Sequence, residues 1–430
     1  MATTTLGDIA ATRPVATTEA LRTADGMPLR TKLERSMRMA RLRAFFLVAP
    51  LLAFIVFSFL VPVGKMLWLG VYEPTFANYM PRTAAALQTW DTRDLPSEET
   101  FAIFVDELIA ARESRDLGKV ASRVNREFSG ARSLLTATGR RAADFAGPDA
   151  KQALIAHDAT WGRTELWQGM TVAARSVTPA FYLNAVDLRL NADGTVRAQD
   201  ADRRLHLALF WRTLWLSALI TGLCLLLGFP VAYLLATLPM RYSNLLMILV
   251  LLPFWTSLLV RTTAWIALLQ SQGVVNDSLV AIGIISDTNR LSMIYNQAGT
   301  VIAMTHILLP FMILPLYSVM KTIPPSYMRA ARSLGANGFT AFRRVYLPQT
   351  VPGIGAGSLL VFILAVGYYI TPALVGGQSG QLISNIIAFH MQSTLNWSLA
   401  AALGGVLLAG VLILYWTYNR LIGIDNIKLG

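Results

Sequence analysis

Apolar and polar residues follow one another along this chain in long blocks, not in the short rhythm of a soluble core. Six apolar blocks stand out, at residues 44–64, 207–238, 245–269, 298–320, 354–375 and 399–422. Each supplies roughly the 20 residues that a helix needs to cross a bilayer. Short polar stretches separate the later blocks: 240–244 with Arg241, 271–296 with Asp277, Asp287 and Arg290, and 376–397, which has no Lys, Arg, Asp or Glu. Trp68 and Tyr72 follow the first block and suit a membrane interface.

Residues 73–206 break the pattern. They hold most of the acidic residues of the chain and are too polar for a membrane. Ser97 can cap a helix whose first turn carries Glu98 and Glu99. Phe101, Phe104, Val105, Leu108 and Ile109 then recur at helical spacing. Residues 117–135 read as further helix. Residues 181–190, the polar turn 191–194 and residues 195–198 predict a small hairpin. A mostly helical insert is therefore expected between the first and second spans, outside the cytoplasm if the chain starts inside. Its only His–acid neighbour pair, His157–Asp158, reads as ordinary surface. Residues 1–32, rich in Ala, Thr and Gly without periodicity, predict a disordered cytoplasmic tail. The first apolar block starts too late, and lacks a following small-residue cleavage site, to be a signal peptide.

One stretch between the fourth and fifth blocks has its own design. It is MRAARSLGANGFTAFRRVYLPQTVPGI, residues 328–354. Pro324 and Pro325 end the preceding span and Ser326 can cap a new helix. Residues 327–334 are mostly good helix formers. Gly335 stands where a helix turns left-handed without a Cβ penalty. Residues 339–346 predict a second short helix, which Pro348 stops. Ala330 and Ala331 carry almost no side chain, so another protein surface can approach that backbone closely.

Composition agrees with a membrane protein. The 430 residues are 54% hydrophobic and 14% charged, with mean hydropathy +0.49, against about 25% charged in soluble domains. The net charge of +12 raises the question of nucleic acid, but its distribution answers otherwise. Lys321, Arg329, Arg332, Arg343 and Arg344 crowd one loop without an acid, and Arg35, Arg38, Arg41 and Arg43 precede the first block. Basic loops on one side of the membrane mark the cytoplasmic side. Six spans place both termini and that loop there together. Cys224 is the single cysteine, so neither an internal disulfide nor a cysteine-rich metal site exists.

The 328–354 stretch resembles the cytoplasmic coupling loop of ABC importer permeases, whose pattern is Glu-Ala-Ala, three residues, Gly, nine residues, Ile, one residue, Leu-Pro. Ala330, Ala331, Gly335, Val345, Leu347 and Pro348 fall at the matching places. Arg329 stands where the family has Glu, so the helix-turn-helix shape carries over and a Glu-dependent contact does not. The segments RTLWLSALITGLCLLLGFPVAYLLATLP, LLPFWTSLLVRTTAW, ILLPFMILPLYSVMKTIP and ALVGGQSGQLISNIIAF look like the spermidine/putrescine branch of these permeases, a branch that also carries other small organic solutes, opines among them. The resemblance covers the six spans and their connections, not the tail or the insert. It implies an all-α polytopic membrane protein with the six-span type I ABC importer permease fold and a mostly helical extracytoplasmic insert. The expected organisation is a cytoplasmic N-terminal tail (1–43), a first span (44–72), the insert (73–206) and a permease core (207–430) with five spans and a coupling loop at 321–350. It further implies two ABC ATPase subunits, a second permease subunit, either a sister chain or, as the alternative, a second copy of this one, and a periplasmic solute-binding protein in a bacterial inner membrane. The solute would be polyamine-like or derived from an opine or amino acid.

The chemistry in the residues fits that role. No G-x-x-x-x-G-K-[ST] occurs, so ATP and Mg belong to a partner and this chain needs no cofactor of its own. Nothing reads as catalytic or metal-binding. Arg261 lies well inside the third apolar block, where a charge costs at least ~2.5 kcal/mol and should face a protein interior or a wet path. Its two readings are a pathway residue and a structural arginine. Trp255, Trp265, Tyr368 and Tyr369 can line a path by cation–π contact or simply pack. The third to sixth blocks contain no carboxylate. That weighs against an ion-coupled carrier, and also against a bare polyamine, which would favour carboxylates along its route. Two other readings stand beside the importer: a stand-alone channel or secondary carrier with a large outer domain, and a receptor-like outer domain on a membrane anchor. On the importer reading the insert docks or gates the binding protein.

Overall fold

Prolines and the absence of polar partners in lipid shape several long helices of this chain. The computed structural model describes residues 29–201 and 204–422. The expected disordered tail lies mostly outside the described residues; helix begins at Leu29. The chain divides into two units, one ending at Lys65 and one beginning at Met66.

The described residues of the first unit are helical, with α1 (Leu29–Ile55), a π-helical turn (Val56–Leu60) and the start of α2 (Val61–Leu69). Met37–Leu69 forms an apolar span of 33 residues, longer than the expected 44–64 because the interfacial residues after the apolar block stay helical. In the π turn the N–H of Val61 reaches the carbonyl of Val56, five residues back. The widened turn lies just before Pro62, which has no N–H and whose ring would crowd the carbonyl four residues earlier.

The insert is helical, as its sequence predicts. Its helices are α3 (Thr75–Tyr79), α4 (Pro81–Thr89), α5 (Glu98–Glu113), α6 (Leu117–Glu127), α7 (Ala131–Arg140), α8 (Ala150–His157) and α9 (Thr164–Ala174). The Ser97 hydroxyl accepts the Thr100 N–H and starts α5. Phe101, Phe104, Trp161 and Trp167 are fully buried together, with the Phe101 and Trp167 rings 4.4 Å apart. The expected single helix over 117–135 is two, because Gly130 takes φ 89° between them. The predicted hairpin exists but is smaller: α10 (Ala180–Ala185) precedes β1 (Leu188–Leu190), which pairs antiparallel with β2 (Val196–Ala198). Phe181 and Ala185 lie one helical turn apart and bury against Leu209, Ile383, Ala402 and Leu403. That tertiary contact overrides the local strand preference.

The permease core is α11 (His206–Thr237), α15 (Gln297–Thr322) and α18 (Leu347–Gly367) packed on one another, with Leu216, Ile220, Met304, Leu308, Met312, Leu316, Val361 and Ala365 buried between them. The last helix is α21 (Trp397–Ile422). Four expectations are corrected. The third span is not one helix. Residues 240–244 are not a loop but open α12 (Met240–Leu251), and after a 3-10 turn (Leu252–Trp255) come α13 (Leu258–Leu269) and α14 (Val274–Ala281). The two halves bend by 98°. Pro253 withholds a donor, and the Ser257 hydroxyl caps the new helix by accepting the Val260 N–H. The fifth span ends at Gly367, not 375, and a separate α19 (Ile370–Val375) follows. The helix after Gly335 does not stop at Pro348. Among the described residues, five helices are thus long and apolar enough to span, or six if the bent pair counts as one.

Candidate functional site

The candidate coupling segment begins with α16 (Pro325–Ser333). Ser326 does not cap it: Pro325 occupies the first helical position after Pro324, and no side chain accepts the free N–H groups, because a proline there removes one orphan donor by itself. The helix ends as the sequence predicts. Gly335 has φ 89°; its N–H reaches the Arg332 carbonyl and the Ala336 N–H reaches the Ala331 carbonyl. This paired bonding is the Schellman termination, which needs a left-handed residue. The Asn337 side chain then caps α17 (Gly338–Ala341) by accepting the Thr340 N–H at 2.7 Å. A π turn (Phe342–Tyr346) joins it to α18 without interruption. As before Pro62, the widened turn, in which the Leu347 N–H reaches the Phe342 carbonyl, sits just ahead of Pro348 and makes room for its ring.

Arg329, Ala330, Gly335 and Pro348 are exposed, and Ala331, Val345 and Leu347 are half-buried. Leu334 is 90% and Phe339 72% exposed, beside exposed Arg329, Arg332, Arg343 and Arg344. This apolar and cationic face is backed by an aromatic cluster that the motif does not include. Phe342 stacks on Tyr346 at 5.7 Å and meets Phe229 and Tyr233 of α11 edge-on, each at 6.1 Å. The segment is thereby clamped to two spans at once. The signal in the sequence was the aromatic pair in FRRVY facing the one in FPVAY.

The candidate path residues divide. Trp255 stands apart at the end of the 3-10 turn, 76% exposed. Arg261 and Trp265 lie one turn apart on α13, which packs against α15 and α19. Trp265 donates its indole N–H to Nδ1 of His306 at 3.1 Å. The charge of Arg261 lies within electrostatic reach of His306 and Tyr368, and its Nε is buried with no partner. His306 is exposed in the middle of α15; an imidazole inside ILLP-type apolar sequence was the signal for it. Tyr368 and Tyr369 form the unwound joint between α18 and α19. The Ser384 hydroxyl and the Asn385 amide, on α20 (Ile383–Gln392), donate to their carbonyls at 2.6 and 2.8 Å. Gly377, at φ 52°, passes so close to Tyr295 that a Cβ would lie 2.2 Å from its carbonyl oxygen. Between Asp202 and Asp425 the sequence has two acidic residues, Asp277 and Asp287. Both bond to Arg290 on the loop before α15 at 2.7 Å, and the two carboxylates hold its guanidinium further toward the charged form.

Residues 213–422, which run from the second turn of α11 to the end of α21, match the family described as binding-protein-dependent transport system inner membrane component. The spermidine/putrescine transport system permease protein PotB of Haemophilus influenzae is 37% identical over 221 residues, covering 51% of this chain and 77% of that protein. PotB of Escherichia coli K12 is 34% identical over 221 residues, covering 51% and 80%. The inner membrane ABC transporter permease protein YdcU of Escherichia coli K12 is 31% identical over 256 residues, covering 56% and 76%. With a relative this similar across three quarters of its own length, and with the apolar spans arranged as described, the chain belongs to the binding-protein-dependent transport system inner membrane components: it is a multi-pass permease subunit of an ABC importer.

Proposed function

We propose that this permease forms half of the translocation path for a small nitrogen-bearing organic solute, polyamine-like or amino-acid-derived, and that α16 and α17 are its coupling element. Relatives named for spermidine and putrescine transport support the solute class. The observation that carries the coupling role is the exposed face of Leu334, Phe339 and four arginines on a segment clamped by Phe342 to α11 and continuous with α18. Such a rigid link can transmit a two-state motion from outside the membrane into the spans. Two ATPase subunits, carrying ATP and Mg, act on this face and on that of a sister permease chain. Both termini and this face are cytoplasmic, and a periplasmic binding protein delivers the solute to the opposite side, where the insert docks it. A stand-alone channel or carrier gives the exposed basic helix pair no role.

The test is ATP hydrolysis and solute uptake measured together in proteoliposomes holding the whole complex. Gly335→Val places a β-branched residue at positive φ, a strain of order 1–3 kcal/mol, comparable with a typical coupling energy of ~1–3 kcal/mol. The variant should assemble and hydrolyse ATP yet transport less solute per ATP. Arg329→Glu should also impair coupling if the ATPase surface is matched to a cation. An unchanged uptake-to-hydrolysis ratio in Gly335→Val removes the coupling assignment.

A further inference from the structure

Polar chemistry inside the core is lopsided. Arg261 brings a guanidinium whose Nε is buried and unpartnered. Its neighbour His306 accepts the Trp265 indole N–H at Nδ1. An imidazole that accepts at Nδ1 is neutral and carries its proton on Nε2, so its free nitrogen is also a donor. Arg261 is half-buried on α13 and His306 exposed on α15; polar groups of this kind among apolar helices are too costly to face lipid and point to a wet path. Acceptors are missing from the same region. The spans hold no carboxylate, and Asp277 and Asp287 are occupied by Arg290 on the outer loop. Backbone carbonyls freed at a broken helix are the other usual place to hold a cation. At the Tyr368–Tyr369 joint those carbonyls already accept from Ser384 and Asn385. The hydroxyls of Thr262 and Thr371, nearby on α13 and α19, bond each other at 3.2 Å, and Thr262 also donates to the Leu258 carbonyl at 2.9 Å.

We infer that the transported solute carries a carboxylate or an equivalent anionic group, which Arg261 and His306 accept in transit, and that a bare polyamine is not the preferred cargo. This rests on the importer reading and narrows its solute class: an amine-bearing acid, of the kind derived from amino acids, fits where a dication does not. A guanidinium with free donors suits a carboxylate because its N–H fork matches two oxygens at once. A dication passing the same point meets a positive charge with no carboxylate in the spans to offset it.

The whole complex, with its ATPase, second permease and binding protein, is reconstituted in proteoliposomes. Uptake is compared for 4-aminobutanoate, ornithine and N-carboxyalkyl amino acids against putrescine and spermidine. The expected result is ATP-driven uptake about tenfold or more faster for at least one carboxylate-bearing solute than for either bare amine. Arg261→Gln should lower that uptake about tenfold, Arg261→Lys, which keeps the charge without the fork, should lose less, and elution as an intact complex shows that each variant has folded. Equal or faster uptake of a bare polyamine, or no uptake of any carboxylate-bearing solute, overturns the inference. So does equal loss in Arg261→Gln and Arg261→Lys. Uptake that does not need ATP would instead remove the importer reading beneath it.

Discussion

Asp187 shows how much a single side chain can hold. Its backbone is left-handed at φ 57°, and its carboxylate is buried. It accepts the N–H groups of His206 and Leu207 at 3.0 and 2.9 Å, the first free donors of α11. The helix that starts the permease core is therefore capped from the insert, not by its own N-terminal neighbour. Asp187→Ala leaves two donors unsatisfied at a buried helix end, a cost of about 1–3 kcal/mol. Its detergent-solubilised melting temperature should fall measurably, with Asp187→Asn falling less; an unchanged melt would show that water replaces the cap. Nothing local in the sequence marks Asp187, since its partners lie about twenty residues away. Gly335 was legible because its demand is local: the residues before it form a helix and only glycine turns left-handed without strain.

At the scale of elements, helix ends and breaks carried the surprises. Both π turns sit just ahead of a proline, Pro62 and Pro348. A proline predicts a stop, yet a helix that ends strands its carbonyls, and inside an apolar span such as that of Pro62 no water takes them up. Widening by one residue per turn keeps the helix going. The opposite outcome at Pro253 depends on Ser257, which supplies a fresh cap two residues past the 3-10 turn. Helix α20 offers a separate test. His390 near its end is pushed down to about 4, first by burial and then by the charges of His206 and Arg126. The folded protein therefore favours the neutral ring. Stability is intact above the unfolded value near 6.5 and is lost as pH falls from there toward 4, because only the unfolded chain binds the proton readily. His390→Gln should flatten the fall in melting temperature across that window. Identical pH profiles for variant and wild type would place the acid sensitivity elsewhere.

For the molecule as a whole, the insert is a body with its own core, entered and left at one point. The Glu73 N–H bonds to the Ser176 carbonyl and the Thr178 N–H to the Val71 carbonyl, both at 2.8 Å, and Tyr72 pairs with Val177. Most buried apolar side chains from Phe76 to Ala174 pack among themselves, Val172 excepted, which packs on Ala180, Leu190 and Ala192. Residues 74–175 can accordingly be replaced by a short Gly-Ser link without parting the flanking chain. On the docking proposal that excision leaves basal ATP hydrolysis near normal and cuts its stimulation by the binding protein about fivefold or more. Full stimulation without the insert would show that docking uses the permease loops alone.

The long apolar blocks, the basic loop and the Gly-centred motif decided a great deal unaided. Lipid supplies no hydrogen bonds, so a long apolar block must be helical, and charge must collect at one end. Ser97 as a cap and the buried face of Phe101, Phe104, Val105 and Leu108 followed from spacing alone. Only the tertiary structure decided the rest. Whether a proline widens a helix or breaks it depends on a cap or a neighbour to receive the freed groups. That Trp265 meets His306, that Phe342 meets Tyr233, and that the joint carbonyls meet Ser384 and Asn385 are contacts between helices far apart in sequence. Their energy is that of packing and partner choice, which no local pattern of residues encodes.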